Sequence, residues 1–377
     1  MGRSNDRVGC AIVATPSSTR SGADRCPGLL APFVASDGAM VRLRIPGGRV
    51  DVGLLAAVSA LAGRFGVADI TLTSRGSLQL RGLPDPLPQE LITAIGDLGL
   101  VPSGPHDKSR NVIADPAAGL DDLVTDLDAA LLADPGLAGL PGRFLFAVAG
   151  PGGPVLAEPW DIAIVDEGGR SRVLVDDQSV VVSRQDAVAT ALAAARRFLA
   201  ARSDVRIWNV RDLPASDRAG LLTGGTPFVP SPAAPPAPGP VGDDLLVLVP
   251  LGLLTPTMVG ALPAGPVVVT PWRSILLPGG SAHADALAQA GFVTTSDSPW
   301  TVLTACAGAP FCSRTTTQTV RIAREAAPFV DVDGPPVHVI GCERSCGHPA
   351  RPHTIALNPT TAADVVAAQR TSPEKDR

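Results

Sequence analysis

Tyrosine is absent from this chain of 377 residues, and the aromatic residues together make up only 3% of it. Tyrosine acid–base chemistry is therefore excluded. Basic residues do not outnumber acidic ones, and a formal charge of −5 removes the electrostatic footprint of a nucleic-acid binder. No uninterrupted apolar run reaches the roughly eighteen residues that a membrane helix needs. No Gly-x-Gly-x-x-Gly follows a predicted strand, so a nicotinamide or flavin dinucleotide site of that type is not expected. The first 24 residues surround one short apolar segment at Cys10, too brief and polar for a secretory signal, and read as a mobile leader. A reducing cytoplasm is then the expected setting. There the six cysteines are thiols or ligands rather than disulfides. Cys10 and Cys26 have no partner at ligand spacing and read as ordinary thiols.

What the chain does contain is core material and turn residues. Hydrophobic residues make up 45%, mean hydropathy is +0.24, and there are 39 glycines and 38 prolines. Length predicts two to three domains, and Ala-rich helical stretches alternating with Val/Leu runs predict an α+β protein rich in tight turns.

The strongest organisational signal is an internal repeat. Its first copy runs from Met40 through Pro46-Gly47-Gly48, a helical pattern over 52–65, and Thr73-Ser74-Arg75-Gly76-Ser77 to Gly82. The second runs from Leu245 through Pro250-Leu251-Gly252, a shorter helix near 255–262, and Thr270-Pro271-Trp272-Arg273-Ser274 to Gly279. Thr73 aligns with Thr270, Ser77 with Ser274 and Gly82 with Gly279 without a gap. Each copy reads as strand, helix, strand. Such a unit has too few strands to close a core alone, so the two are expected to pair into one sheet.

Between the copies lies an α/β segment: a helix over 120–132, strands over 143–148 and 161–165, a hairpin near 173–182 and an Ala-rich helix over 185–201. A Pro-rich stretch over 227–240 reads as an extended linker. The expected organisation is a leader at 1–24, half-domains at 25–90 and 243–298, an α/β lobe at 100–225, a linker at 226–242 and a cysteine-bearing lobe at 299–370.

Cys306, Cys312, Cys342 and Cys346 form two pairs with five and three residues between their members, among glycines and prolines that admit tight loops. Four thiolates suit a cubane iron–sulfur cluster, each iron taking one sulfur. Structural zinc is the alternative, although its pairs are usually closer.

The text around these ligands is Thr304-Ala305-Cys306-Ala307-Gly308-Ala309-Pro310-Phe311-Cys312, then Gly341-Cys342-Glu343-Arg344-Ser345-Cys346-Gly347-His348-Pro349. It resembles the cluster-binding segment of the sulfite and nitrite reductase superfamily, and most of all its precorrin-3B synthase branch. The resemblance extends over nearly the whole chain from Cys26. It implies a pseudo-twofold architecture of two ferredoxin-like half-domains and two α/β lobes, the C-terminal lobe holding a 4Fe-4S cluster on the four cysteines.

In that superfamily a basic cavity grips a carboxylate-rich tetrapyrrole, a task that suits the planar fork of arginine. Residues at matching positions are Arg75, with Gln79 and Arg81 expected on the same strand face, then Arg110 and Asn111 in Lys-Ser-Arg-Asn-Val, and Arg143 in Leu-Pro-Gly-Arg-Phe. Sulfite reductases usually carry lysine at the positions of both Arg143 and Leu145, so Leu145 removes one charge of an anion cage. The branch implies oxygen-dependent hydroxylation of precorrin-3A, electrons from an external reductase or ferredoxin, and a mononuclear non-haem iron for which His348 and His353 are the candidate ligands. A small sirohaem-dependent sulfite or nitrite reductase and a non-catalytic electron carrier are the competing readings.

Overall fold

The computed structural model describes residues 22, 24–116 and 119–371; Cys10 and all of the expected leader but Ser21-adjacent Gly22 and Asp24 lie outside them. Among the described residues no helix is long and apolar enough to cross a membrane.

The two repeat copies fold alike down to their backbone turns. In each, residues 73–77 and 270–274 close through a Thr N–H donated to the Ser carbonyl, at 3.0 Å from Thr73 to Ser77 and 2.9 Å from Thr270 to Ser274. The fourth residue of each turn is left-handed, Gly76 at φ 61° and Arg273 at φ 59°. The aligned Gly82 and Gly279 share φ values of 64° and 62°, a conformation glycine adopts without steric cost.

The expectation of one shared sheet is corrected. Two five-stranded antiparallel sheets form instead, and each takes its last strand from the other copy. Phe33–Ala35, Gly38–Leu43, Leu78–Leu83 and Ile70–Leu72 are completed by Leu253–Leu254. Gly239–Val241, Asp244–Leu248, Ser274–Leu277 and Pro266–Val269 are completed by Arg49–Asp51. The exchange follows from the Pro-x-Gly turns, which send the chain across the pseudo-dyad. Gly48, at φ 74°, passes so close that an added Cβ would lie 1.9 Å from the Val269 carbonyl oxygen. One continuous core, including Leu43, Leu55, Leu72, Leu80, Val247 and Ile275, fills the space between both copies.

The α/β segment forms a six-stranded sheet, ordered Thr226–Pro227, Gln178–Ser183, Arg170–Val175, Ile162–Asp166, Phe146–Ala149 and Val112–Ala114, with its last three strands parallel. Helices Asp121–Leu132 and Ala187–Ala201 bury their apolar faces against it. The strand expected from residue 143 starts at Phe146, because Phe144 N–H turns back to the Pro141 carbonyl at 2.9 Å. That turn leaves Arg143 outside the sheet. The last unit is a parallel sheet of Leu303–Ala305, Val337–Ile340 and Thr354–Leu357, with helices Thr319–Ala326 and Ala362–Arg370 contributing to its core.

Candidate active site

The equivalent turns of the two copies carry arginines toward the other two units. Arg75 Nη1 donates to the Arg143 carbonyl at 2.6 Å, and Arg273 Nη2 donates to the Gly347 carbonyl at 2.5 Å, one residue beyond Cys346. Both arginines keep partial contact with solvent, yet loss of solvation depresses both pKa values, to about 10 for Arg75. The resemblance drawn from the sequence places Arg75 at the wall of an expected basic recess, and Arg273 lies in the equivalent turn of the second copy. Both guanidiniums remain charged at neutral pH, so the two turns present fixed positive charge.

Arg143 stands over the Trp208 ring at 5.2 Å, with its Nε 3.7 Å from Asp24, and its positive charge reaches Cys346. Gln79 accepts from Arg42 Nη2 at 3.4 Å, and Arg42 Nη1 donates to the Cys26 sulfur at 3.0 Å. Cys26 is thus more than the ordinary thiol that its spacing suggests. Burial raises its pKa, but Arg42 and Arg44 outweigh that and hold the thiol below its usual range.

The remaining sequence-selected residues lie elsewhere. Arg75 is in a turn rather than on the strand with Gln79 and Arg81. Arg81 is paired with Asp37 at 3.1 Å and donates to the Phe311 carbonyl at 2.6 Å, tying the first sheet to the loop before Cys312. Arg110 is buried in a bidentate pair with Asp128 at 2.8 and 2.7 Å. Asn111 accepts from the buried Arg44 at 2.9 Å and donates to the Lys108 and Gly142 carbonyls. Arg81, Arg110 and Asn111 are therefore taken up by structural pairs, whereas Arg75 and Arg143 meet each other at one turn and the buried Gln79 meets Arg42.

Four residues around the recess were not singled out by sequence. Glu158 follows the short 3-10 turn Pro154–Ala157, is 6% exposed, and accepts from Trp272 Nε1 at 2.9 Å. Burial pushes its carboxyl up to about 7, against the pull of Trp272, Arg273 and Arg75. Trp272 and Arg273 could have been found by reading the second repeat copy in register with Arg75 and Gly76. His338 is fully buried, with Nε2 facing the Cys346 carbonyl at 3.2 Å and Nδ1 facing Thr304 Oγ1 at 2.9 Å. A carbonyl only accepts, so Nε2 carries the proton. Burial, with Arg273 and His353 nearby, drives His338 down to about 3 and keeps it neutral. Only its alternation within a buried strand could have flagged it.

Cys306 and Cys342 follow neighbouring parallel strands, with Cys306 N–H bound to the Val339 carbonyl at 2.9 Å, so both thiols emerge at the same sheet edge. The exposed Cys346 thiol is raised by desolvation and by the charges of Cys306 and Cys342. Gly308 and Gly341 let these loops close: an added Cβ would meet the Thr319 side chain at 2.2 Å and the Thr315 side chain at 2.4 Å. Among the described residues no three His, Cys, Asp or Glu side chains close to the distance that a single ion requires.

The second iron fits less well. His348 and His353 stack at 5.8 Å and His353 meets His338 edge-on at 5.9 Å, but the Nδ1 atoms of His348 and His353 face the Pro349 and Arg351 carbonyls. Among the described residues these side chains do not close on one ion.

The profile of the nitrite/sulfite reductase ferredoxin-like half domain matches residues 34–94. A protein from Sinorhizobium sp named precorrin-3B synthase is 27% identical over 391 aligned positions, covering 91% of this chain and 82% of the relative. The chain resembles the precorrin-3B synthase branch of the sulfite and nitrite reductase superfamily. The solved structure of Mycobacterium tuberculosis NirA protein shares the fold, with a TM-score of 0.60 at 17% identity over 82% of this chain and 69% of that one.

Proposed function

We propose that the chain is an oxygen-dependent precorrin-3B synthase of cobalamin biosynthesis. It hydroxylates the meso carbon of precorrin-3A, and a substrate acetate closes a γ-lactone. The observation that carries this reading is that Arg273 binds the loop of Cys346 and the charge of Arg143 reaches it, with Arg75 bound to the Arg143 carbonyl, in a chain similar over 91% of its length to a protein of that name. Arg75 and Arg143 offer charged donors to the substrate carboxylates, with Gln79 as a neutral one. Most of the protein's contribution is then orientation: charged groups already fixed in place hold the reacting carbon and the acetate in register without reorganising.

Cys306, Cys312, Cys342 and Cys346 would hold a 4Fe-4S cluster, which when bound supplies electrons one at a time from an external donor. Arg273 fixes the Gly347 carbonyl and His338 the Cys346 carbonyl, so the loop carrying the last thiol is positioned from both sides. Leu145, where the reductases usually carry a lysine, is fully buried in the core beside Ala147 and Ala163, so it adds no cation to the recess. That favours an organic carboxylate over a small inorganic anion as the substrate group.

The test is anaerobic purification with iron, sulfide and tetrapyrrole analysis, followed by turnover with precorrin-3A, a reducing donor and dioxygen. The expected result is a cluster without sirohaem and formation of the hydroxylated lactone. Stoichiometric sirohaem, or no product from cluster-loaded protein, would overturn the reading.

A further inference from the structure

Glu158 is a buried carboxyl that the reading above leaves unused. One oxygen accepts from Trp272, and the charged groups facing the carboxyl are Arg273 and Arg75, one from each repeat copy. Among the described residues no hydrogen bond engages the second oxygen, Oε2, which leaves it free to meet a further group. Trp272 and Arg273 are adjacent in one turn, and Arg273 ends on the carbonyl next to Cys346. The carboxyl is therefore linked, through one turn, to the loop where the reacting centre is expected.

We propose that Glu158 is the catalytic acid of the recess, with Trp272 holding one oxygen while the other exchanges a proton with the reacting oxygen. The proposal rests on the oxygen-dependent reading for its reaction. Placing one atom of dioxygen in the substrate and releasing the other as water consumes two electrons, from the external one-electron donor, and two protons. Glu158 gives up its O–H proton to the oxygen being reduced and becomes a carboxylate facing Arg273 and Arg75. It is reprotonated from solvent. Burial supports the role, since it holds the carboxyl near neutrality, where a group can both give and regain a proton.

A purely structural role predicts something else. Gln at this position keeps an acceptor for Trp272 but carries no acidic proton. In the full-length, cluster-loaded protein, E158Q is expected to lower kcat about a hundredfold or more while KM stays within about twofold. The wild-type kcat should fall above a pH of about 7, and E158Q should lack that limb. Trp272 supplies a readout independent of turnover: its emission should titrate with a midpoint of about 7, and the step should vanish in both E158Q and W272F. Wild-type kcat in E158Q, or no such step in the wild type, would overturn the proposal. If the wild type does not turn over precorrin-3A, the functional reading fails by itself. The emission titration then still decides whether Glu158 exchanges a proton in this range.

Discussion

The guanidinium of Arg273 and the carbonyl of Gly347 are joined by a hydrogen bond between a turn of the second repeat copy and the loop that carries Cys346. Arg273 holds a left-handed backbone at φ 59° where the first copy has Gly76, a conformation that costs a non-glycine residue about 1 kcal/mol. R273G would relieve that strain and remove the tether. Its unfolding free energy is expected to stay within about 1 kcal/mol of wild type, while iron is lost to a chelator several times faster. Time-resolved bleaching of the visible absorption during chelation checks both the tether and the thiol site.

Arg75 and Arg110 separate two roles that the sequence presents alike. R75A should bind a polycarboxylate porphyrin such as uroporphyrin about tenfold to a hundredfold more weakly with little change in stability, because it deletes one charge-assisted contact from the recess wall. R110A should instead cost about 3 kcal/mol of stability, since it strands the partly buried Asp128. Fluorescence quenching of the porphyrin and urea unfolding distinguish the pair.

Strand exchange between the copies depends on Gly48. Alanine there would place a methyl carbon 1.9 Å from the Val269 oxygen in a backbone region that disfavours side chains. The expected loss is about 3 kcal/mol or more, measured as a lower urea midpoint or as insoluble expression.

Glu158 also gives stability a pH dependence. Its folded pKa of about 7 lies above its ordinary value of 4.5, so between those values the unfolded chain ionises while the folded one stays protonated. The stabilisation is fully present below 4.5 and is lost as pH rises through 7, an effect of about 3 kcal/mol at most. E158Q should therefore gain stability relative to wild type as the pH is raised from 5 to 8. Matched urea titrations at the two pH values would contradict the assignment if that difference stayed constant.

Replacing the thiols tests the metal assignment residue by residue. C342S should lose the cluster's visible absorption and most of its iron, whereas C26S should keep both, because Cys26 faces Arg42 and Arg44 rather than the other four. Iron and sulfide analysis of the two variants decides it.

The repeat was legible in the sequence because turn chemistry is local. Thr and Ser four residues apart, a left-handed position before the Ser and a glycine five residues beyond it fix each turn within its own segment. Cysteine spacing likewise picked out the four candidate ligands, and the structure then set Cys306 and Cys342 just past neighbouring parallel strands. The partners of side chains depend on groups far away in the chain. Arg110 meets Asp128 across the start of the α/β segment, Glu158 meets Trp272 from 114 residues away, and His338 lies beneath a turn of the second copy. Sequence by itself determined the backbone modules and the candidate ligands. The tertiary structure alone decided which arginines are taken up by carboxylates, which carboxyl is desolvated and which strands change sheets, because burial and charge pairing are set by segments that meet only when folded.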